Sequence, residues 1–169
     1  MGKIHICGIH GCGKSTLALQ LSEIEEAPCY HLDDIKYSVK YSETRPIPER
    51  ITRLDEICDS DEWITEGTWT NYAEAAFKKC DFVIHMAYPR LICDYRILKR
   101  FFTRERAKGD DLTGAIELVK QVHEYYGTTG IVSFAQHQEL IQKYNKPYTK
   151  ISNDRQLRKF LHERERMRA

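Results

Sequence analysis

The chain has 169 residues, of which 41% are hydrophobic and 30% are charged, and its formal net charge at neutral pH is +1. These values indicate one domain with the composition of a soluble enzyme. No apolar run approaches the roughly 20 residues of a membrane span, which argues against a membrane partner. Six cysteines without a Cys-x-x-Cys pair are typical of reduced thiols. We therefore expect a cytoplasmic protein with a single domain over residues 1–169.

Strand-like and helix-like segments alternate along the chain. The predicted strands lie at residues 3–7, 29–32, 63–65, 82–87 and 148–151. The predicted helices lie at residues 14–25, 48–59, 70–79, 89–106, 112–126 and 132–144, with a last helix from residue 153 or 154 to about 163. We interpret residues 36–45 as a polar loop and residues 164–168 as a fraying helix end. This alternation predicts an α/β fold with a doubly wound, mostly parallel sheet.

A phosphate-binding loop follows the first predicted strand and opens the first predicted helix. Its sequence is Gly-Ile-His-Gly-Cys-Gly-Lys-Ser, which fits a glycine, four free positions and then Gly-Lys-Ser. Backbone N–H groups of such a loop cradle phosphates, Lys14 reaches the β- and γ-phosphates, and the Ser15 hydroxyl suits Mg²⁺. We therefore predict a site for ATP and Mg²⁺. Its predicted residues are Gly8, Ile9, His10, Gly11, Cys12, Gly13, Lys14, Ser15 and Thr16.

Two side chains occupy free positions of this motif. We interpret His10 and Cys12 as incidental to phosphate binding. A thiol close to a helix N-terminus and a lysine has a lowered pKa in many proteins, so the same is expected for Cys12.

Acidic residues end the second and third predicted strands, where a doubly wound sheet presents its ligands. Phosphoryl transfer needs a carboxylate near Mg²⁺ and another that orients the acceptor hydroxyl. We assign Asp33 as a catalytic residue and metal ligand with Ser15, although Asp33 and Asp34 could divide these tasks either way. Asp34, Glu66 and Gly67 are predicted to bind the acceptor. The alternative for the two aspartates is an Asx turn or a helix cap.

Arginines recur at four-residue spacing on the helix after the fourth strand. Arg96, Arg100 and Arg104 share one face, and a Gly-Asp-Asp break follows. We predict a lid over about residues 96–111 that delivers Arg100 and Arg104 to the transferring phosphoryl group. A solvated helix face is the alternative. Arg50 is predicted to bind an acceptor phosphate, with a plain surface position as an equal alternative.

The chain resembles the adenylate-kinase-like P-loop kinases, and among them the small topology modulation proteins. The motifs that carry the resemblance are the phosphate loop, His-Leu-Asp-Asp at 31–34, Trp-Ile-Thr-Glu-Gly at 63–67, the strand at 81–87 and the arginine helix. The resemblance implies a three-layer α/β/α fold, a five-stranded parallel sheet of order 2-3-1-4-5, Mg-ATP as donor and Asn153 near the adenine. The Asp-Gly-Phe-Pro-Arg run of adenylate kinases is missing, and the helical insertion at about residues 110–146 is not covered.

Three classes of function fit these motifs. The first is a phosphotransferase that moves the γ-phosphoryl of ATP to a hydroxyl or phosphate of a small molecule, such as a nucleoside or nucleotide. The second is a regulatory nucleotide switch, although Asn145-Lys146 lacks the aspartate of a guanine signature. The third is a nucleic-acid-associated protein, which the near-neutral charge disfavours. We favour the phosphotransferase, while the acceptor and the oligomeric state are not indicated.

Overall fold

A computed structural model describes residues 2–39, 43–103, 112–127 and 132–168. Within these ranges the strands are β1 (Lys3–Gly8), β2 (Cys29–His31), β3 (Tyr37–Val39), β4 (Glu43–Thr44), β5 (Trp63–Gly67), β6 (Phe82–Met86) and β7 (Tyr148–Ile151). The helices are α1 (Lys14–Glu25), α2 (Leu32–Lys36), α3 (Ile47–Asp59), α4 (Glu74–Lys79), α5 (Arg90–Thr103), α6 (Leu112–Tyr125), α7 (Phe134–Lys143) and α8 (Asp154–Arg168). None of the helices in these ranges is long and apolar enough to cross a membrane.

Five parallel strands form the main sheet in the order β2-β5-β1-β6-β7. Numbered along the chain, these strands give the predicted order 2-3-1-4-5 with β1 at the centre. Apolar side chains pack on both faces of the sheet. Leu17, Leu21 and Ile97 belong to the core on one face, and Leu54 and Phe77 belong to the core on the other. The predicted three-layer α/β/α fold is therefore confirmed.

The segment after β2 differs from the prediction. The strand ends at His31, and α2 begins at Leu32, so Asp33 and Asp34 lie in the first turn of a short helix. Leu32 and Ile35 anchor this helix because both are buried at helical spacing. The two carboxylates also suit the positive end of the helix dipole. The predicted polar loop at 36–45 contains an antiparallel pair, β3 with β4.

The C-terminal helix is longer than predicted, and the predicted fraying end is wrong. Arg164 is 7% exposed and donates from Nε to Oε1 of the buried Glu25 at 2.7 Å. Arg168 donates to the other carboxylate oxygen of Glu25 at 3.2 Å. Two arginines on one buried carboxylate offset the cost of removing it from water. This pairing with the last turn of α1 keeps α8 helical through Arg168.

The predicted lid is only partly within the described residues. α5 covers 96–103 as a regular helix, whereas residues 104–111, and with them Arg104, lie outside the described ranges. The described part of the insertion contains α6 and α7, which agrees with the two predicted helices.

Candidate active site

The phosphate loop lies between β1 and α1, and its glycines shape it. The φ angles of Gly8, Gly11 and Gly13 are +144°, +74° and +96°. A Cβ at Gly11 would lie 2.5 Å from the Cys93 carbonyl oxygen, so no other residue fits there without movement of the backbone. Gly13 immediately precedes α1, which brings the positive end of that helix to the loop. The local backbone therefore has the form that anion binding needs.

Lys14 folds over this loop. The residue is 8% exposed, and Nζ donates to the Ile9 carbonyl at 3.0 Å. Burial works against its positive charge, but the nearby Cys12, Glu66 and Asp33 groups outweigh burial and raise the pKa of Lys14. Lys14 therefore carries its charge at neutral pH, inside the loop. Thr16 follows in the first turn of α1 and is exposed.

The pKa of the thiol at one free position of the motif, Cys12, differs from the expectation. Burial raises the pKa of the Cys12 thiol, so the predicted lowering is wrong. The thiol is fully buried, and loss of hydration outweighs the charge of Lys14. His10, at the other free position, hydrogen-bonds Gln121 of α6, while burial and the charge of Lys14 lower its pKa to about 4. The charge of Arg100 on α5 lowers the pKa of His10 further.

Glu66 links Ser15 to His31. The Ser15 hydroxyl donates to Oε1 of Glu66 at 2.9 Å, and Nδ1 of His31 lies 2.6 Å from the same oxygen. Burial of Glu66 favours its neutral form, but the hydrogen bond with His31 and the charge of Lys14 outweigh burial and lower its pKa. The same hydrogen bond raises the pKa of His31. An anionic carboxylate therefore lies beside the hydroxyl that was predicted to bind Mg²⁺.

This arrangement adds a residue to the predicted pair of metal ligands, Ser15 and Asp33. The carboxylate that accepts from the Ser15 hydroxyl is that of Glu66. Hydroxyl and carboxylate oxygens are the donors that Mg²⁺ prefers, so Ser15 and Glu66 fit that ion.

Asp33 instead belongs to what we call the Trp69 cluster, which consists of Asp33, Lys36, Arg50 and Trp69. The Trp69 indole donates to Oδ1 of Asp33 at 2.7 Å, and Nζ of Lys36 lies 3.5 Å from the indole ring centroid. Burial, with Arg50 adding to it, lowers the pKa of Lys36. Arg50 is held by a 2.6 Å hydrogen bond from its Nε to the Arg45 carbonyl. The cluster thus combines two cations, one carboxylate and an aromatic face.

Asp34 has different contacts from its neighbour in the sequence, Asp33. Its side chain lines a cavity of about 300 Å³ beside β2, together with His31 and Arg53, and the residue is exposed. Nη1 of Arg45 donates to the Asp34 carbonyl at 2.8 Å. The charges of both aspartates act on His31, whereas Asp33 is the one whose charge acts on Lys14.

The structure gives a different reason for a glycine at position 67 from the one that was predicted. A Cβ at this position would lie 2.6 Å from the Cβ of the buried Leu32. The glycine therefore allows β5 to pass close to the start of α2, whereas the sequence suggested a close approach to the acceptor.

Arg96 contacts the other side of the phosphate loop. Its Nη1 donates to the Cys12 carbonyl at 3.3 Å, and its Nη2 donates to Asp154 at 2.8 Å. Asn153 accepts from the Gln156 N–H at 3.0 Å, so it caps α8. Arg100 is exposed one turn further along α5 and lines a surface cleft of about 410 Å³ with Arg96.

Sequence reasoning missed three residues that the structure brings to this edge of the sheet: His31, Lys36 and Trp69. The usable signal for His31 was its position one residue before the end of a predicted strand. The register of β2 with β5 places His31 directly opposite Glu66.

Comparisons with known proteins agree with this fold. No protein-family model matches the chain. YqaC, an uncharacterized protein of Bacillus subtilis (strain 168), is 33% identical over 104 residues, which cover 60% of this chain and 57% of YqaC. The match thus spans less than two thirds of that relative.

Two solved structures cover nearly the whole chain. The shikimate kinase from Acinetobacter baumannii in complex with shikimate superposes with a TM-score of 0.60 at 13% identity, covering 96% of this chain and 90% of that one. The shikimate kinase from Bacteroides thetaiotaomicron superposes with a TM-score of 0.53 at 14% identity, covering 98% and 97%. At these identities the likeness shows the fold alone.

Proposed function

We propose that the chain is an ATP-dependent phosphotransferase that moves the γ-phosphoryl of Mg-ATP to a hydroxyl or phosphate group of a small molecule. A nucleoside or nucleotide is the acceptor class that we favour, in line with the resemblance to topology modulation-like kinases. One observation carries the proposal: the phosphate loop and the Trp69 cluster lie at the same sheet edge, with the charge of Asp33 acting on Lys14. The superposition on a kinase bound to a small hydroxylated acid supports it.

The donor half of the proposed mechanism uses the phosphate loop. The loop N–H groups and Lys14 bind the phosphates, and Arg96 orients the loop from the Cys12 carbonyl. Ser15 and Glu66 would hold Mg²⁺, which when bound neutralises charge on the phosphoryl oxygens. The charge of Arg100 acts on His10 in the phosphate loop, and in this mechanism Arg100 stabilises charge on the transferring phosphoryl group. Arg104 is proposed for the same role from sequence spacing alone.

The acceptor half uses the Trp69 cluster. The indole of Trp69 fixes one oxygen of Asp33, so the carboxylate can accept the proton of an acceptor hydroxyl as the new phosphoester bond forms. Lys36 and Arg50 provide two positive charges beside it, which favour an acceptor with an anionic group. The six free thiols fit a reducing compartment, and we infer a cytoplasmic location.

The proposal is tested by ADP release from Mg-ATP with a panel of nucleosides, nucleotides, hydroxy acids and 5′-hydroxyl oligonucleotides. We expect one class of small molecule to raise the rate, and Lys14→Ala to remove that stimulation. Stimulation by oligonucleotides alone would favour a nucleic-acid kinase instead. Slow hydrolysis that no acceptor changes would contradict phosphoryl transfer and favour a nucleotide switch.

A further inference from the structure

A buried chain of hydrogen bonds joins the α6–α7 insertion to the sheet. We call it the His–Tyr chain, and it consists of His85 on β6, Tyr125 on α6 and His137 on α7. Nε2 of His85 lies 2.9 Å from the Tyr125 hydroxyl, which lies 2.7 Å from Nδ1 of His137. All three residues are fully buried. The Gln138 amide contacts Nδ1 of His85 at 2.7 Å at one end, and Nε2 of His137 contacts the Thr68 carbonyl at 3.0 Å at the other.

The direction of every hydrogen bond in the His–Tyr chain follows from the bond between His137 and the Thr68 carbonyl. A backbone carbonyl can only accept, so Nε2 of His137 donates to Thr68 and, in the neutral ring, Nδ1 accepts. The Tyr125 hydroxyl must then donate to His137, and its oxygen accepts from Nε2 of His85. Nδ1 of His85 is left as an acceptor for the Gln138 amide. Every ring nitrogen has one partner of the right kind, and both histidines are neutral.

The buried surroundings of His85 and His137 favour neutral imidazole rings. Burial lowers the pKa of His85 to about 4 and lowers that of His137 well below its ordinary value. Among the described residues these two histidines and Cys7 also form a group whose ligand atoms lie within 4.8 Å of one another. A metal ion there would have to displace hydrogen bonds that already satisfy the rings. We therefore assign the group to hydrogen bonding.

The His–Tyr chain ends at Thr68, which directly precedes Trp69 of the proposed acceptor half. Thr68 is 5% exposed, and its carbonyl accepts from His137. The next residue is Trp69, whose indole holds Asp33 at 2.7 Å. The backbone of the loop after β5 is therefore held from the α7 side, one residue before the side chain that orients the proposed catalytic carboxylate.

We propose that Tyr125 and His137 are positioning residues for the acceptor half, because they fix Thr68 and, through it, the Trp69 indole that orients Asp33. This gives a role to the insertion at about residues 110–146, which the sequence motifs did not explain. The kinetic part of the proposal rests on the proposed phosphotransferase, whereas the structural part does not.

The neighbouring tyrosine supplies a matched control. Tyr126 directly follows α6 and is partly buried, and its hydroxyl donates to the Tyr88 carbonyl at 2.6 Å. Tyr88 in turn donates to Asp154, the partner of Arg96, so Tyr126 contacts the donor side. Tyr125→Phe and Tyr126→Phe each remove one hydrogen-bonded hydroxyl, but only the first breaks the His–Tyr chain.

The test is ¹⁹F NMR of the full chain labelled with 5-fluorotryptophan. The sequence has two tryptophans, so two resonances are expected, and Trp69→Phe assigns them. Tyr125→Phe should shift or broaden the Trp69 resonance and leave the Trp63 resonance in place, while Tyr126→Phe should change neither. His137→Gln, whose amide can still donate to Thr68, should restore most of the native Trp69 signal that His137→Phe loses. This readout needs neither an acceptor nor turnover.

With an acceptor identified, Tyr125→Phe should raise the acceptor KM about tenfold with the ATP KM unchanged. An unshifted Trp69 resonance in Tyr125→Phe, or an equal shift in Tyr126→Phe, would overturn the positioning role. Stoichiometric zinc in the purified protein would also overturn it, because the ring nitrogens would then be ligands. Failure to find any acceptor, with the resonance shifted as expected, would count against the proposed function and leave the positioning of Trp69 supported.

Discussion

The phosphate loop and the Trp69 cluster are built in different ways. The loop is eight consecutive residues, and its three glycines give the backbone the shape that anion binding needs. The cluster takes its groups from α2, α3 and the loop after β5, and consists of side chains alone. In the proposed function, the contiguous backbone site binds the donor, and the site of dispersed side chains lets the acceptor vary on an unchanged fold.

The largest expected effect comes from changing the loop backbone. Gly11→Ala puts a Cβ 2.5 Å from the Cys93 carbonyl at a φ of +74°, so ATP affinity should fall by at least about a hundredfold. Titration with a fluorescent ATP analogue measures this fall. Gly127→Ala is the control, because a Cβ there makes only ordinary contact, at 3.4 Å from the Glu124 carbonyl oxygen. If both variants bound the ATP analogue equally well, the proposal that the backbone of the phosphate loop forms the ATP site would be contradicted.

The next effect separates chemistry from binding. Asp33→Asn keeps an oxygen that accepts from Trp69 but loses the negative charge, so kcat should fall about a hundredfold while ATP affinity stays the same. Steady-state kinetics measure kcat, and titration with the fluorescent ATP analogue measures the ATP affinity. Asp34→Asn is the matched control, and a fall in kcat as large as that of Asp33→Asn would show that the two aspartates were assigned wrongly.

A pair of variants tests whether the two regions are independent. Arg96→Met removes hydrogen bonds to the Cys12 carbonyl and Asp154, so the ATP KM should rise about tenfold. Trp69→Phe removes the indole donor to Asp33, so the acceptor KM should rise by a similar factor. If each variant raised both KM values equally, the division into a donor and an acceptor half would not hold.

The smallest effect depends on pH. The folded pKa of His31 is raised, chiefly by its hydrogen bond with Glu66, so its contribution to stability is complete below about pH 6.5 and disappears as pH rises through the raised pKa. The free energy of unfolding lost in His31→Gln should therefore be about 1 kcal/mol at about pH 5.5 and smaller at about pH 9. Urea denaturation at both pH values measures it. A loss that grows with pH would contradict the His31–Glu66 pairing.

The features that could be predicted from the sequence are those formed by residues that lie close together along the chain. The phosphate loop, α1 and β7 could be placed from local sequence, because glycine spacing, helical periodicity and β-prone runs act within a few residues. The pairing of His31 with Glu66 depends on the register of β2 with β5, which joins residues 35 positions apart. The role of Trp69 depends on α2, which the sequence suggested to be a strand end followed by a loop.

Two further features could not be predicted for physical reasons. The pKa of Cys12 depends on burial under the packed loop, which outweighs the helix N-terminus and Lys14 that the sequence shows. The C-terminal turn of α8 looked solvated because its arginines are charged, yet Glu25 at the end of α1 pairs with Arg164 and Arg168. Both depend on groups that meet only in the folded chain.

The central claim is that Mg-ATP and a small molecule meet at one sheet edge, where Asp33 serves the acceptor. It is tested most directly by following the label of γ-³²P-ATP with the acceptor that gives the fastest ADP release. We predict that the wild-type protein transfers the label to the organic acceptor, and that Asp33→Asn binds ATP equally well but transfers far less. Label that appears only as inorganic phosphate, at the same rate in both proteins and with or without acceptor, would contradict the claim.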